Sequence, residues 1–204
     1  MAAVLIDNYD SFTHILRQLI ERASGSDIHI LKNDRIDHGL LEKAELIILS
    51  PGPGRPQDAG EMMQVIEKYH LLKPMLGICL GHQALGIFFG AELIQQNQIT
   101  HGIASILSIS REVNTPLSKL DEPVCVGRYH SWLLKKESFP ESLAITAEDE
   151  EGQVMAFQHR KLPIVGLQFH PESYMTDQGA GIISSFFQGV RAPKNGAKYD
   201  KLLR

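Results

Sequence analysis

Pro74-Met75-Leu76-Gly77-Ile78-Cys79-Leu80-Gly81-His82-Gln83 passes from a short apolar run into a helix-compatible segment, with a cysteine at the junction and a glycine two residues to either side. This is the G-x-nucleophile-x-G form of a nucleophile elbow, in which a sharp turn between strand and helix exposes one side chain. The glycines remove Cβ atoms that would crowd the turn. The helix N-terminus that follows favours a thiolate over a thiol. The backbone N–H of the next residue, Leu80, is free to point at a developing oxyanion. A buried cysteine packed as a small hydrophobe is the competing reading, and this stretch by itself leaves the two level.

The segments on either side repeat the strand-then-helix alternation. Ala3–Asp7 reads as a buried strand and Phe12–Ala23 as an amphipathic helix with Ile15, Leu16, Leu19 and Ile20 inward. Strands at Ile28–Leu31, Leu46–Ser50 and Pro74–Ile78 follow, with helices at Gly60–Tyr69 and Leu80–Phe89. The second half is strand-rich, with runs at Ser105–Ser110, Val124–Val126, Leu143–Ala147, Gln153–Gln158 and Ile164–Phe169, and Gln178–Val190 closes it as a helix. The expected fold is α/β: an open, mostly parallel sheet with helices on both faces, plus additional antiparallel strands. No Gly/Ser/Pro-rich linker divides the chain, so residues 1–191 read as one domain and residues 192–204 as a basic, solvated tail.

Two further stretches carry chemistry. Ser50-Pro51-Gly52-Pro53-Gly54-Arg55-Pro56 follows a strand directly. Prolines fix φ and glycines admit special backbone geometry, giving a rigid loop at the strand end where open α/β sheets bind ligands. The Gly52 N–H is a candidate second oxyanion donor; a plain tight turn is the alternative. Gly166-Leu167-Gln168-Phe169-His170-Pro171-Glu172-Ser173 ends an apolar strand in a histidine and a carboxylate. His170 can take a thiol proton and return it to a leaving group. Glu172, two residues on and on the same side of an extended chain, can orient the imidazole.

The 204 residues are 43% hydrophobic and 22% charged, the balance of an ordinary globular protein. A formal net charge of −4 without a basic stripe argues against a nucleic-acid binder. No stretch has the apolar length of a membrane span, and the N-terminus shows no secretory pattern. Two cysteines, Cys79 and Cys125, suit a reducing cytosol rather than a disulfide scaffold, with Cys125 expected in the core. His82 reads as a packing residue, and His14, His29, His38, His70 and His159 lack metal-ligand spacing, so no metal is expected. Phe186-Phe187 reads as the core anchor of the last helix, and Tyr9, Asp10 and Ser11 sit at the ligand-binding rim.

Taken together these stretches resemble the class I (triad-type) glutamine amidotransferases. Ile6-Asp7-Asn8-Tyr9-Asp10-Ser11-Phe12-Thr13 is similar to the opening of one branch, the amidotransferase subunits of anthranilate synthase and aminodeoxychorismate synthase. Asn33-Asp34, Ser50–Gly54, Gly77–Gln83, His101-Gly102, Arg128-Tyr129-His130-Ser131 and Gln168–Ser173 continue the likeness in order, over nearly the whole chain.

The resemblance implies that Cys79 attacks the glutamine side-chain amide, giving a glutamyl thioester and ammonia, after which water releases glutamate. His170 would be the acid/base, Glu172 its orienter, and the Gly52 and Leu80 amides the oxyanion hole. Gly52, Pro53, Gly54, Gln83, Ser131 and Trp132 would bind the substrate, the last two through their backbone. The implied partner is a chorismate-binding synthase subunit that takes the ammonia, with no cofactor in this chain. Anthranilate synthase is the leading assignment, aminodeoxychorismate synthase the alternative, and a stand-alone cysteine amide hydrolase or an idle binding subunit the remaining ones. The chain departs from the branch pattern at His14-Ile15, Ile103 and Trp132, which places none of the differences on the triad.

Overall fold

The computed structural model describes residues 2–96 and 102–191. His101 of the His-Gly match and the basic tail, 192–204, lie outside the described residues. The strands are β1 (Ala3–Asp7), β2 (Ile28–Lys32), β3 (Leu46–Leu49), β4 (Met75–Ile78), β5 (Leu93–Gln95), β6 (Ile103–Ile109), β7 (Val124–Arg128), β8 (Trp132–Leu134), β9 (Leu143–Glu148), β10 (Val154–His159) and β11 (Ile164–Leu167). The helices are α1 (Thr13–Ser24), α2 (His38–Lys43), α3 (Met62–Tyr69), α4 (Leu80–Phe88) and α5 (Gly179–Arg191).

One 9-stranded sheet runs β2-β1-β3-β4-β11-β10-β9-β6-β7. The part from β2 to β11 is parallel, and β10, β9, β6 and β7 extend it antiparallel. The expected parallel sheet with antiparallel additions is therefore what the chain forms. The central strands are apolar along their whole length because both faces are covered. In β3, Leu46 and Ile48 enter one core with Leu16 and Ile20 of α1 and Ile182, Phe186 and Phe187 of α5. Ile47 and Leu49 enter the other with Leu41, Met62, Val65, Ile66, Ala84 and Leu85 of α2, α3 and α4. Alternate side chains of one strand thus serve opposite layers.

Three expectations are corrected in detail. Ile15 is 49% exposed: the buried stripe of α1 is Thr13, Leu16, Ile20 and Ser24, and a neighbour of Leu16 lies about 100° round the helix from it. Cys125 is only half-buried, because Val124 and Val126 on either side of it in β7 take the inward positions. The ribbon β5–β8 and the helix α2 have no counterpart among the expected elements. Both strands of the ribbon are three residues long, too short for periodicity to register; α2 has a local signal in Asp37, which caps it by accepting from Leu40 N–H at 3.0 Å.

The chain passes from β1 to β2 on one side and then to β3 on the other. That reversal opens a crevice at the carboxyl ends of the parallel strands, where β1, β3, β4 and β11 all release their loops.

Candidate active site

Cys79 sits between β4 and α4 with φ 50° and ψ −101°, a left-handed conformation rare outside glycine. The turn is held from both sides. Its N–H donates to the Leu167 carbonyl of β11 at 2.8 Å, and its carbonyl accepts from Gln83 N–H at 3.0 Å. The flanking glycines are required by backbone approach: a Cβ on Gly77 would meet the Gly81 carbonyl oxygen at 2.4 Å, and one on Gly81 would meet the Leu49 carbonyl oxygen at 2.4 Å. This packing fixes the strained turn, as over-determined surroundings must.

The loop after β3 is pinned to the loop after β1. Asn8 N–H donates to Ser50 Oγ and its Nδ2 to the Ser50 carbonyl, both at 2.9 Å, while Asn33 Nδ2 donates to Asn8 Oδ1 at 3.1 Å. Gly52 lies so close to this brace that a Cβ would meet Asn8 Cβ at 2.5 Å and Leu80 Cδ2 at 3.0 Å. The Gly52 and Leu80 amides donate to no other group among the described residues; Leu80 follows Cys79 directly, and Gly52 lines the same cavity as Cys79. Asn8 and Asn33 stand within matched motifs, but their bracing role has no signature in the sequence alone.

His170 follows β11, and its Nδ1 pairs with Glu172 Oε1 at 2.7 Å. Both side chains are buried, the histidine 3% and the glutamate 0% exposed. Burial works against a charged imidazole, yet the Cys79 sulfur on one side and the Glu172 carboxylate on the other raise its pKa well above the ordinary histidine value. The imidazole rests edge-on against Phe12 and Tyr129, with ring centroids 5.9 and 5.0 Å away. Asp10, also close by, is pushed above the usual carboxylate range by burial, despite accepting from Phe12 N–H at 2.7 Å.

A cavity of about 170 Å³ opens on the sulfur and is lined by Gly52, Pro53, Gly54, Gln83, Ser131 and Trp132. Every residue expected from the sequence to bind substrate therefore borders one space with Cys79, whereas the buried His170 and Glu172 do not line it. The Ser131 carbonyl accepts from Gln96 N–H at 2.8 Å and that of Trp132 from Gln83 Nε2 at 2.9 Å, so both already have donors within the chain. Arg55 stacks over the Trp132 ring at 5.5 Å, and Ile103 is 49% exposed. Tyr9 is 53% exposed, at the rim of the crevice. A larger cavity, about 390 Å³, lies elsewhere, between Val165 of β11 and the end of α5, and contains no cysteine or histidine.

His82 and His159 have structural places. His82 is fully buried against Phe157, which drives its pKa down to about 3 and keeps it neutral. His159 Nδ1 accepts from the Lys161 and Leu162 amides. Among the described residues no group of three or more His, Cys, Asp or Glu could hold a metal ion, and no helix is long and apolar enough to cross a membrane.

Comparison with known proteins gives one family. The glutamine amidotransferase class-I model matches residues 4–190. Anthranilate synthase component 2 of Pseudomonas aeruginosa is 38% identical over 202 residues, which is 94% of this chain and 99% of that protein. Aminodeoxychorismate/anthranilate synthase component 2 of Bacillus subtilis is 36% identical over 92% of this chain and 96% of that protein. The bifunctional protein TrpGD of Thermotoga maritima is 39% identical over 90% of this chain, which spans only 31% of that longer protein. A solved structure from Thermoplasma acidophilum, named for a GMP synthase, superposes with a TM-score of 0.80 at 26% identity, covering 93% of each chain. With its elbow, its His-Glu pair and a family match that runs from β1 to α5, this chain belongs to the class I glutamine amidotransferases.

Proposed function

We propose that this chain is the glutamine-hydrolysing subunit of anthranilate synthase, delivering ammonia to a chorismate-binding partner subunit. The observation that carries the chemistry is the set of groups gathered on one cysteine: Cys79 at a helix N-terminus, the buried His170–Glu172 pair coupled to it, and the Gly52 and Leu80 amides, unpaired among the described residues. In this reading His170 takes the Cys79 proton, the sulfur attacks the glutamine side-chain carbonyl, and the Gly52 and Leu80 amides receive the oxyanion. His170 then protonates the departing ammonia, and water, deprotonated by the same imidazole, cleaves the thioester to glutamate. Glu172 holds the imidazole in orientation and favours its charged form. Gly52, Pro53, Gly54, Gln83, Ser131 and Trp132 cradle the substrate, and residues 1–191 form the amidotransferase domain.

The partner assignment is supported by the Pseudomonas aeruginosa relative, matched almost end to end. A second reading is favoured by the Bacillus subtilis relative, whose name carries both synthases: the chain supplies ammonia for aminodeoxychorismate instead, or as well. The test is a native extract depleted of this chain and given glutamine and chorismate, with anthranilate followed by its fluorescence. Anthranilate should appear when the native chain is added and not when Cys79→Ser is added. Aminodeoxychorismate in its place would move the chain to the second reading. If a competent extract makes neither product, no chorismate-binding partner is involved and the assignment fails.

A further inference from the structure

One polar group in the site has no part in the chemistry above. The Gln168 carboxamide is fully buried, between β11 and His170. Its Nε2 donates to Cys79 Sγ at 3.7 Å, and its Oε1 accepts from Gln83 Nε2 at 3.2 Å. That orientation is dictated by the surroundings. Gln83 Nε2 also donates to the Trp132 carbonyl at 2.9 Å, and a carbonyl can only accept. A flipped Gln83 would set two oxygens against each other, so its nitrogen faces inward. Only the oxygen of Gln168 can meet that nitrogen, which turns the Gln168 N–H towards the sulfur. The backbone holds the residue in place, its N–H donating to the Met155 carbonyl of β10 at 2.8 Å.

A buried amide N–H normally finds an acceptor, and here that acceptor is a sulfur atom. A thiol is a weak acceptor, while a thiolate is an anion to which hydrogen bonds are about twice as strong. We propose that Gln168 is a further catalytic residue, its side-chain N–H oriented through the Trp132–Gln83 relay to hold the Cys79 sulfur as an anion aimed at the cavity. The proposal rests on the reading of Cys79 as nucleophile. The proton balance is unchanged: the thiol proton goes to His170, and Gln168 keeps both of its own.

The experiment follows alkylation of Cys79 by iodoacetamide against pH, with peptide mapping to separate it from Cys125. The native chain is compared with Gln168→Met, of similar shape without a donor, and Gln168→Glu, which keeps the acceptor for Gln83 and loses the donor to sulfur. For Gln168→Met the midpoint of the profile should rise by about one pH unit, with the rate at pH values below the native midpoint falling about tenfold, the loss of one hydrogen bond to a charged group. The plateau at high pH should be unchanged. Gln168→Glu should move the midpoint further, since a carboxylate repels the thiolate. A folded Gln168→Met with the native midpoint overturns the proposal.

The native protein supplies a measurement that needs no variant of Gln168 to fold. The 15N signal of the Gln168 side-chain amide should shift over the same pH range as alkylation, and should stay fixed in Cys79→Ala. A signal that does not move in the native chain overturns the proposal. The two ideas fail separately. A native chain that hydrolyses glutamine while Gln168→Met keeps the native midpoint rejects the role of Gln168 alone. A chain inert towards glutamine whose alkylation still depends on Gln168 keeps the donor contact and rejects the enzymatic reading.

Discussion

His170 shows how much a single residue here depends on two neighbours. Burial alone would keep its ring neutral, and the charged form is held by Cys79 on one side and Glu172 on the other. A histidine with a raised folded-state pKa adds stability that is fully present below its unfolded value, about 6.5, and is lost as pH rises through the folded value. Glu172→Gln removes the carboxylate that helps to hold the charged ring, so the imidazolium should lose its proton at lower pH than in the native chain. The stability gap between native and Glu172→Gln, from thermal melts, should therefore be wider at about pH 6 than at about pH 10. Glutamine turnover should fall by ~10²–10⁴, the range for misplacing a general base. A gap that is independent of pH would place the carboxylate outside the protonation equilibrium.

At the scale of elements, α4 is the piece on which the site is mounted, and its glycines mark how tightly it is packed. Replacing glycine by alanine inside a helix ordinarily stabilises it by about 1 kcal/mol. At Gly81 the sign should reverse, because the new Cβ would lie 2.4 Å from the Leu49 carbonyl oxygen, a backbone atom of β3 that cannot step aside. Gly86 is the internal comparison: its Cβ would meet Leu134 Cδ1 at 2.2 Å, the end of a side chain that can rotate. Urea denaturation should show Gly81→Ala destabilised by about 1–3 kcal/mol or more and Gly86→Ala by less. The Gly81 variant should also lose turnover, since displacing α4 from β3 moves Cys79 relative to Gly52. Equal effects at the two positions would mean that α4 is not clamped between the strands.

Across the whole molecule, the antiparallel extension is tied to the site by one buried cation. Arg128, at the end of β7, pairs with Asp149 beyond β9, with side chains 5% and 1% exposed. It also donates to Ser105 Oγ at 3.0 Å and through Nε to His130 Nε2 at 3.3 Å. Burial and the Arg128 charge drive the His130 pKa down to about 3, so its ring stays neutral and can accept that hydrogen bond. The cavity wall Tyr129–Trp132 follows directly in the chain. Arg128→Met leaves the Asp149 carboxylate buried without its counter-charge and should cost about 3–5 kcal/mol in urea unfolding. Adding Asp149→Asn removes that stranded charge while leaving Oδ1 to accept from the Glu151 and Gln153 amides, so the double variant should recover part of the loss. Both variants should raise KM for glutamine, because His130 no longer has the guanidinium that holds it.

The sequence by itself determined what depends on neighbours in the chain. Gly77 to Gln83 announced a turn because a strand, a cysteine and a helix with glycines at fixed offsets are all local features. The apolar runs of β1, β3 and β4 announced a sheet covered on both faces. Stretches of three residues, such as β5 and β8, carry too little periodicity to be read, and the exposure of Ile15 depended on which of two adjacent apolar residues met the sheet. Only the tertiary structure decided the distances between segments far apart in the chain. It brought His170 and Cys79 together across the β4–β11 pairing, set Asn8 against Gly52, and turned the Gln168 amide towards a sulfur 89 positions away in the chain. Contacts of that kind are fixed by sheet register and packing, which act through space and leave no spacing in the sequence from which to read them.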